Sequence, residues 1–143
     1  AWSFYNSFRE YIGNGQFDLD GASVGFYMAL HTSAASALVN TNTLSTQASL
    51  ANEVASGNGY TTGGASVTAR TWASVATDKY RFDSTAVVWT ATGGAISNIK
   101  YAVVYQSGGK LVCFSKLSTS QFTLAADNTL TVTPSASGIF ELA

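Results

Sequence analysis

From residue 65 to its end, the sequence is a succession of short apolar segments separated by turn signals. The segments are rich in β-branched and aromatic residues, and the residues between them are mainly Gly, Asn, Asp and Ser, which is typical of strands joined by tight turns. No helical periods lie between the segments, so a parallel sheet would lack its crossover helices. The pattern therefore predicts an antiparallel β-sandwich or barrel. The expected strands are 65–76, 79–83, 86–91, 96–106, 111–117, 129–133 and 139–142.

The clearest hairpin joins 101–106 to 110–116 through Ser107, Gly108 and Gly109. A three-residue connection containing glycine is a common hairpin loop. One more strand is expected before residue 65, over 23–31, where Val, Phe, Met and Leu occupy every second position.

The first sixteen residues contain the helix candidate of the N-terminal part. Aromatic and aliphatic residues fall at helical spacing, which predicts a short helix from about Ser3 to Ile12 with Gly13 as its C-terminal cap. Residues 33–59 are small and polar with sparse leucines, and we interpret them as an ordered excursion that contains a short helix. Nothing in them is typical of a linker, so residues 1–143 are expected to form one domain.

The N-terminal segment is unusually aromatic, with six of the 18 aromatic residues in its first 17 positions. One aromatic stripe would satisfy packing of the helix on the sheet, whereas aromatics around more of the circumference indicate a second apolar surface that docks on another chain. Trp, Tyr and Arg are the usual anchors of such interfaces. The candidate interface residues are Trp2, Phe4, Tyr5, Phe8, Arg9 and Tyr11.

Charge excludes several classes of partner. Only 10% of the residues are charged, where an ordinary soluble chain has about 25%. Seven Lys and Arg against eight Asp and Glu provide no basic patch for nucleic acid.

The longest aliphatic and aromatic runs fall far short of the roughly 20 residues of a membrane span. No signal-peptide pattern begins the sequence, and a single free cysteine favours assembly in a reducing cytoplasm.

Catalytic chemistry finds no positive support in the sequence, and no metal or cofactor is expected. His31 could serve a serine nucleophile as a base, but a strand-end side chain at the surface or in a local hydrogen bond is the favoured interpretation. Asp18 and Asp20 indicate a turn rather than a calcium loop, which needs further spaced acids. Cys113 is expected to be a small buried side chain. The glycines at 57–63 miss the dinucleotide-binding spacing by one residue.

A carbohydrate-binding module is an alternative, because such domains are often β-sandwiches with aromatic platforms. Trp72 and Trp89 are the candidate platforms. Trp89 follows Val87 and Val88, where packing in the core is favoured over exposure.

Several segments together resemble a family of small structural proteins of tailed bacteriophages. They are 8–15 with 18–20 and 26–32, Asn52-Glu53-Val54 with 57–60, 87–91 with Gly93-Gly94 and 101–105, and 129–132 with 137–139. The resemblance spans nearly the whole chain, and its motifs are structural rather than catalytic.

The resemblance implies a non-enzymatic virion component with a jelly-roll-like β-sandwich. Its implied role is a capsid decoration, or cement, protein on the outside of the capsid, assembled in the host cytoplasm. The expected partners are the major capsid protein and further copies of this chain, as a dimer or trimer. A tail or neck component and a sugar-binding receptor module on the particle are the alternatives.

Overall fold

The computed structural model describes residues 2–20, 24–33 and 46–143. The chain is mostly β over these ranges, with one α-helix, α1 (Asn6–Gly13), and a short 3₁₀ helix at Gln47–Ser49. The strands are β1 (Trp2–Phe4), β2 (Phe26–His31), β3 (Ala65–Ser66), β4 (Thr71–Ala76), β5 (Lys79–Asp83), β6 (Val87–Thr90), β7 (Ile96–Ile99), β8 (Tyr101–Gln106), β9 (Leu111–Lys116), β10 (Phe122–Leu124), β11 (Thr129–Val132) and β12 (Phe140–Leu142).

The strands form several antiparallel sheets. The largest has the order β1-β9-β8-β2-β3, a second has the order β12-β5-β4, and β10-β7 and β11-β6 are two-stranded. The predicted all-β class with an antiparallel sandwich and a short N-terminal helix is thereby confirmed. The jelly-roll order of the strands stays a prediction.

The centre of the large sheet is covered on both faces. All six residues of β8 and five of the six in β9 are buried. The sequences of these strands are therefore nearly continuous apolar runs, without the alternation of apolar and polar residues that a half-exposed strand shows. Aromatic rings join the large sheet to the three-stranded one. The Phe26 and Phe82 ring centroids are 5.2 Å apart, and those of Phe4 and Phe140 are 5.1 Å apart.

The predicted hairpin is confirmed as β8–β9. The Gln106 N–H donates to the Lys110 carbonyl at 2.8 Å, and the Gly109 N–H donates to the Gln106 carbonyl at 2.8 Å. Gly108 and Gly109 have φ values of +90° and +92°, a region that favours glycine, so the pair of glycines is required by the turn itself.

The expected start of the N-terminal helix is wrong. Trp2–Phe4 form β1, which pairs with the outer side of β9 in the register Trp2↔Ser115 and Phe4↔Cys113, and the helix begins only at Asn6. The local spacing favoured a helix, but pairing with β9 satisfies backbone groups on both strands, and this tertiary gain outweighs propensity.

Two long predicted strands are each interrupted, and one further strand besides β1 was missed. Residues 65–76 contain β3 and β4, separated by a stretch in which Ala69 has a φ of +48°. Residues 96–106 contain β7 and β8, which meet at Lys100, whose N–H donates to the His31 carbonyl at 2.9 Å. The missed strand is β10, which pairs with β7.

Within the described part of residues 33–59, Gln47–Ser49 form a 3₁₀ turn. Residues 34–45 of that excursion lie outside the described ranges. Buried side chains from Tyr5 to Phe140 belong to one apolar cluster, which draws on the sheets and on α1.

Candidate functional site

The N-terminal candidate residues separate into core and surface positions. Tyr5 and Phe8 are each only 1% exposed and belong to the core, so the structure corrects the expectation that they lie on a docking surface. Trp2, Phe4 and Tyr11 are half-buried, and Arg9 is exposed.

Packing within the chain explains why the Phe8 side chain is not available for contact with another protein. Its ring stacks on that of Phe4 with centroids 5.1 Å apart, and it meets the ring of Phe140 at 5.4 Å and that of Phe17 at 5.0 Å. The Arg9 guanidinium lies 5.7 Å from the Phe4 ring centroid and so caps the outer side of this cluster. The aromatic stripe therefore packs α1 onto the sheets, which was the simpler of the two interpretations.

Trp2 belongs to an open groove of about 580 Å³. The groove lies where the end of β1 approaches β10, β11 and the loop that leads into β12. Hydroxyl side chains of Ser and Thr line much of its remaining surface, together with Gly138 and Glu141. Its apolar lining consists of Trp2, Leu117, Phe122, Leu130, Val132, Ile139 and Phe140.

Glu141 is the one charged residue among the described residues that line this groove, and its charge is already paired. Arg81 donates from Nε and Nη2 to Glu141 Oε1 at 3.0 and 2.8 Å, and Lys79 Nζ lies 3.3 Å from Oε2. The hydrogen bonds from Arg81, with the weaker effect of Lys79, hold the pKa of Glu141 below its ordinary value. The lining of the groove is therefore largely apolar, and its one carboxylate is paired with two cationic side chains.

A second polar feature is centred on Glu53. Its Oε1 accepts hydrogen bonds from the Tyr60 hydroxyl at 2.7 Å and from the Gly63 N–H at 2.6 Å. Its Oε2 accepts one from Gln47 Nε2 at 2.7 Å. The Tyr60 oxygen in turn accepts from the Leu30 N–H at 3.0 Å. Because both carboxylate oxygens are engaged, Glu53 fastens residues 47–63 to β2 and is not a free base.

His31 lies beside this network and is fully buried, so of the two expected positions the one at the surface is wrong and the hydrogen-bonded one remains. Residues 51–54 run alongside the end of β2, with the Thr32 N–H donating to the Asn52 carbonyl and the Val54 N–H to the Leu30 carbonyl, both at 2.9 Å. Residues 51–54 therefore cover the imidazole ring of His31.

The ring of His31 makes a single, long hydrogen bond among the described residues. Its Nδ1 is 3.4 Å from the Ala51 carbonyl oxygen, and its Nε2 has no hydrogen-bond partner among the described residues. Burial lowers the pKa of His31, and the nearby Glu53 opposes that effect. A neutral, enclosed imidazole of this kind does not reach a substrate, and the structure pairs it with no serine in the described ranges.

Other residues singled out in the sequence have structural positions. Cys113 is buried as expected, and burial raises the pKa of its thiol. Trp89 is buried, as favoured, which removes it as a sugar platform, whereas Trp72 is half-buried. Asp18 and Asp20 lie in irregular chain after α1. Within the described ranges no three His, Cys, Asp or Glu residues are grouped as a metal site would require.

Sequence reasoning did not identify the role of Glu53 or the groove. Asn52-Glu53-Val54 and 57–60 entered the sequence analysis only as motifs of a resemblance, and their residue types did not indicate a hydrogen-bond network. The groove had no such signal, because its walls come from β1, β10, β11 and β12, which are far apart in the chain.

Comparison of the chain with protein-family models, with curated proteins and with solved structures found no match. Among the described residues, no helix has the length and apolar character needed to cross a membrane.

Proposed function

We propose that this chain is a non-enzymatic structural protein of a tailed-bacteriophage virion that decorates the outside of the capsid and stabilises it. The observation that carries the proposal is the apolar, nearly neutral groove that includes Trp2, one of the residues expected at an interface. The family resemblance of the sequence supplies the class of particle.

The chemistry of the groove suits a protein partner. Half-buried Trp2, Phe122 and Leu130 offer apolar area, and the Ser and Thr hydroxyls around them offer hydrogen bonds without charge. Buried aromatic anchors surrounded by a polar rim are the usual anatomy of a protein interface. An apolar segment of the major capsid protein is the proposed occupant.

Stabilisation would follow from multivalency. A decoration protein with several copies in one oligomer contacts several capsid subunits at once, so that releasing any one subunit requires breaking linked contacts. Each contact can then be modest while the assembled particle gains resistance to disruption. No proton transfer, metal or cofactor enters this mechanism.

A matched pair of substitutions on β11 tests the role of the groove. Thr131 and Thr129 are both exposed, but only Thr131 lines the groove. Thr131→Arg places a long charged side chain in the groove and is expected to weaken binding to undecorated heads by at least about tenfold. Thr129→Arg is expected to bind like the original chain. Sedimentation of heads with bound protein, quantified against added protein, gives both affinities.

The copy number on fully decorated particles tests the position in the virion. Hundreds of copies on each particle support capsid decoration, whereas a few copies would overturn it in favour of the tail or neck. Equal binding of the Thr131→Arg and Thr129→Arg variants, both folded, would remove the groove from the mechanism.

A sugar-binding role is the second candidate, and the hydroxyl-rich rim of the same groove is the observation that favours it. Glycans on a host surface would then quench or shift Trp2 fluorescence. A glycan array without binding, together with unchanged tryptophan emission on addition of host polysaccharide, excludes this alternative.

A further inference from the structure

The groove that includes Trp2 follows the edges of two strands. Successive side chains of a strand point to opposite faces of its sheet, so a groove on one face would meet only every second residue. This groove is lined by the consecutive residues 130–133 at β11 and by the consecutive residues 139–141 at β12. It therefore runs along the edges of both strands, where their backbones are accessible.

The two edges that border the groove have no partner strands in the part of the chain that the structure describes. β11 pairs with β6 and β12 pairs with β5, each on one side only. The two strands follow one another in the chain, joined by residues 133–139, and yet they do not pair with each other. An unpaired strand edge is a template on which a further strand can be added.

The hydrogen bonding of β11 indicates which of its backbone groups are free. Next to the strand, the Ala91 N–H donates to the Asn128 carbonyl at 2.9 Å. Hydrogen-bonded pairs recur at every second position of an antiparallel ladder, so Leu130 and Val132 direct their N–H and C=O groups towards β6. The N–H and C=O of Thr131, which lines the groove, consequently point away from β6.

The side chains of β11 determine what an added strand must look like. Leu130 and Val132 lie on the face of the small sheet that packs inward, whereas Thr131 lies on the opposite, exposed face. Leu130 is only half-buried, as are Trp2 and Phe122 on the other walls of the groove. A strand beside β11 would continue both faces, with apolar side chains next to Leu130 and polar ones next to Thr131.

The charge of the groove favours a neutral occupant. Its carboxylate, Glu141, is already paired with Arg81 at 2.8 Å and with Lys79 at 3.3 Å. A charged side chain of the occupant would lose hydration in the groove without gaining a free opposite charge. Apolar and neutral polar side chains do not incur this cost.

We propose that the segment of the major capsid protein that occupies the groove binds as an extended β-strand, which pairs through its main chain with the Thr131 N–H and C=O on β11. The segment alternates apolar and neutral polar residues. This inference rests on the proposed function and names the conformation and chemistry of its partner. In strand addition the main-chain hydrogen bonds supply affinity, and contacts of alternate side chains supply specificity.

A matched pair of proline substitutions tests the main-chain pairing. Proline is tolerated on an edge strand where its N–H would point away from the neighbouring strand. Thr131→Pro is expected to weaken binding to undecorated heads by at least about tenfold, because it removes the donor that faces the occupant. Thr129→Pro removes an N–H of the same orientation outside the groove and is expected to bind like the original chain.

Thr131→Val separates the loss of the donor from the loss of the side chain. It removes the hydroxyl but keeps the N–H, and it is expected to weaken binding less than Thr131→Pro does. Sedimentation of heads with bound protein gives all the affinities, and circular dichroism with thermal unfolding establishes that each variant is folded.

Hydrogen exchange tests the pairing without a substitution. The Thr131 amide is expected to exchange at least about tenfold more slowly in the head-bound protein than in the free protein, because it gains a hydrogen-bond acceptor. The Thr129 amide is expected to keep its rate. In the capsid protein, the segment that gains protection is expected to alternate apolar and neutral polar residues.

Selective loss of binding in Thr131→Pro and selective protection of the Thr131 amide support the proposal. Equal binding of a folded Thr131→Pro variant overturns the strand pairing and leaves the proposed function standing, whereas failure of the original chain to bind heads overturns both. Should Thr131→Pro not fold, an unprotected Thr131 amide in the head-bound protein overturns the pairing. Self-association without heads that Thr131→Pro abolishes would assign the edge to a second copy and overturn it as well.

Discussion

At the scale of single residues, the buried polar side chains of Glu53 and His31 have positions that serve the fold. Glu53 accepts hydrogen bonds from three different residues and holds the segment after the 3₁₀ turn against β2. His31 is enclosed by the same segment, and its Nε2 has no hydrogen-bond partner in the part of the chain that the structure describes. A buried imidazole in this position is stable only in its neutral form, because burial penalises the charge.

Acid is therefore expected to destabilise the fold through His31. Burial lowers its pKa below the ordinary value of 6.5 in the folded chain, so the unfolded chain binds the proton first as the pH falls. The free energy of unfolding should be constant above about pH 7 and fall below about pH 6.5. Urea unfolding at pH 5.5, 6.5 and 7.5 measures the effect.

The variant His31→Gln provides the control for this pH dependence. His31 is the one histidine of the chain, so its removal should flatten the stability profile between about pH 5.5 and 7.5, whatever it does to absolute stability. An equally steep profile in the folded variant would assign the pH dependence to other groups.

At the scale of elements, close backbone approach fixes how β3 joins the large sheet. Gly64 directly precedes β3 and has a φ of +75°. A Cβ atom at this position would overlap the carbonyl oxygen of Met28 on the neighbouring β2. Only glycine allows the turn and the pairing of Met28 with Ala65 together.

The variant Gly64→Ala is expected to lose at least about 2 kcal/mol of stability, because it combines an unfavourable φ with a backbone clash. Gly13→Ala at the end of α1 is the control, since an added Cβ there meets no atom within 4 Å. That variant should retain its stability or gain slightly. Chemical denaturation compares the two, and equal midpoints would contradict the close-approach argument.

Elements also show where local patterns fail. The spacing in the first residues is helical, yet β1 forms because β9 offers an edge that only the folded sheet contains. The run 96–106 looks like one strand, but its two halves pair with different partners, β10 with β7 and β2 with β8.

At the scale of the whole molecule, the low net charge of the chain bears on how copies of it could associate. The formal net charge is −1 at pH 7, which gives little repulsion between copies. The carboxylate that borders the groove is neutralised by Arg81 and Lys79.

Under the proposed function, attachment to heads is expected to depend weakly on salt. The binding constant should change by less than about threefold between 50 and 300 mM NaCl, because few charges are screened at the contact. Sedimentation of decorated heads across this range measures it. A steep loss of bound protein with rising salt would indicate a charged interface instead.

The sequence by itself determined the β class, the β8–β9 hairpin, the buried Cys113 and the core position of Trp89, because strand period, turn residues and apolar runs are local properties. Only the tertiary structure decided that Tyr5 and Phe8 are internal, that His31 is enclosed, and that Trp2 borders a groove. These outcomes depend on contacts between distant parts of the chain. A pattern of spacing shows which residues are apolar, but the packing of the sheets decides which of their faces remain open.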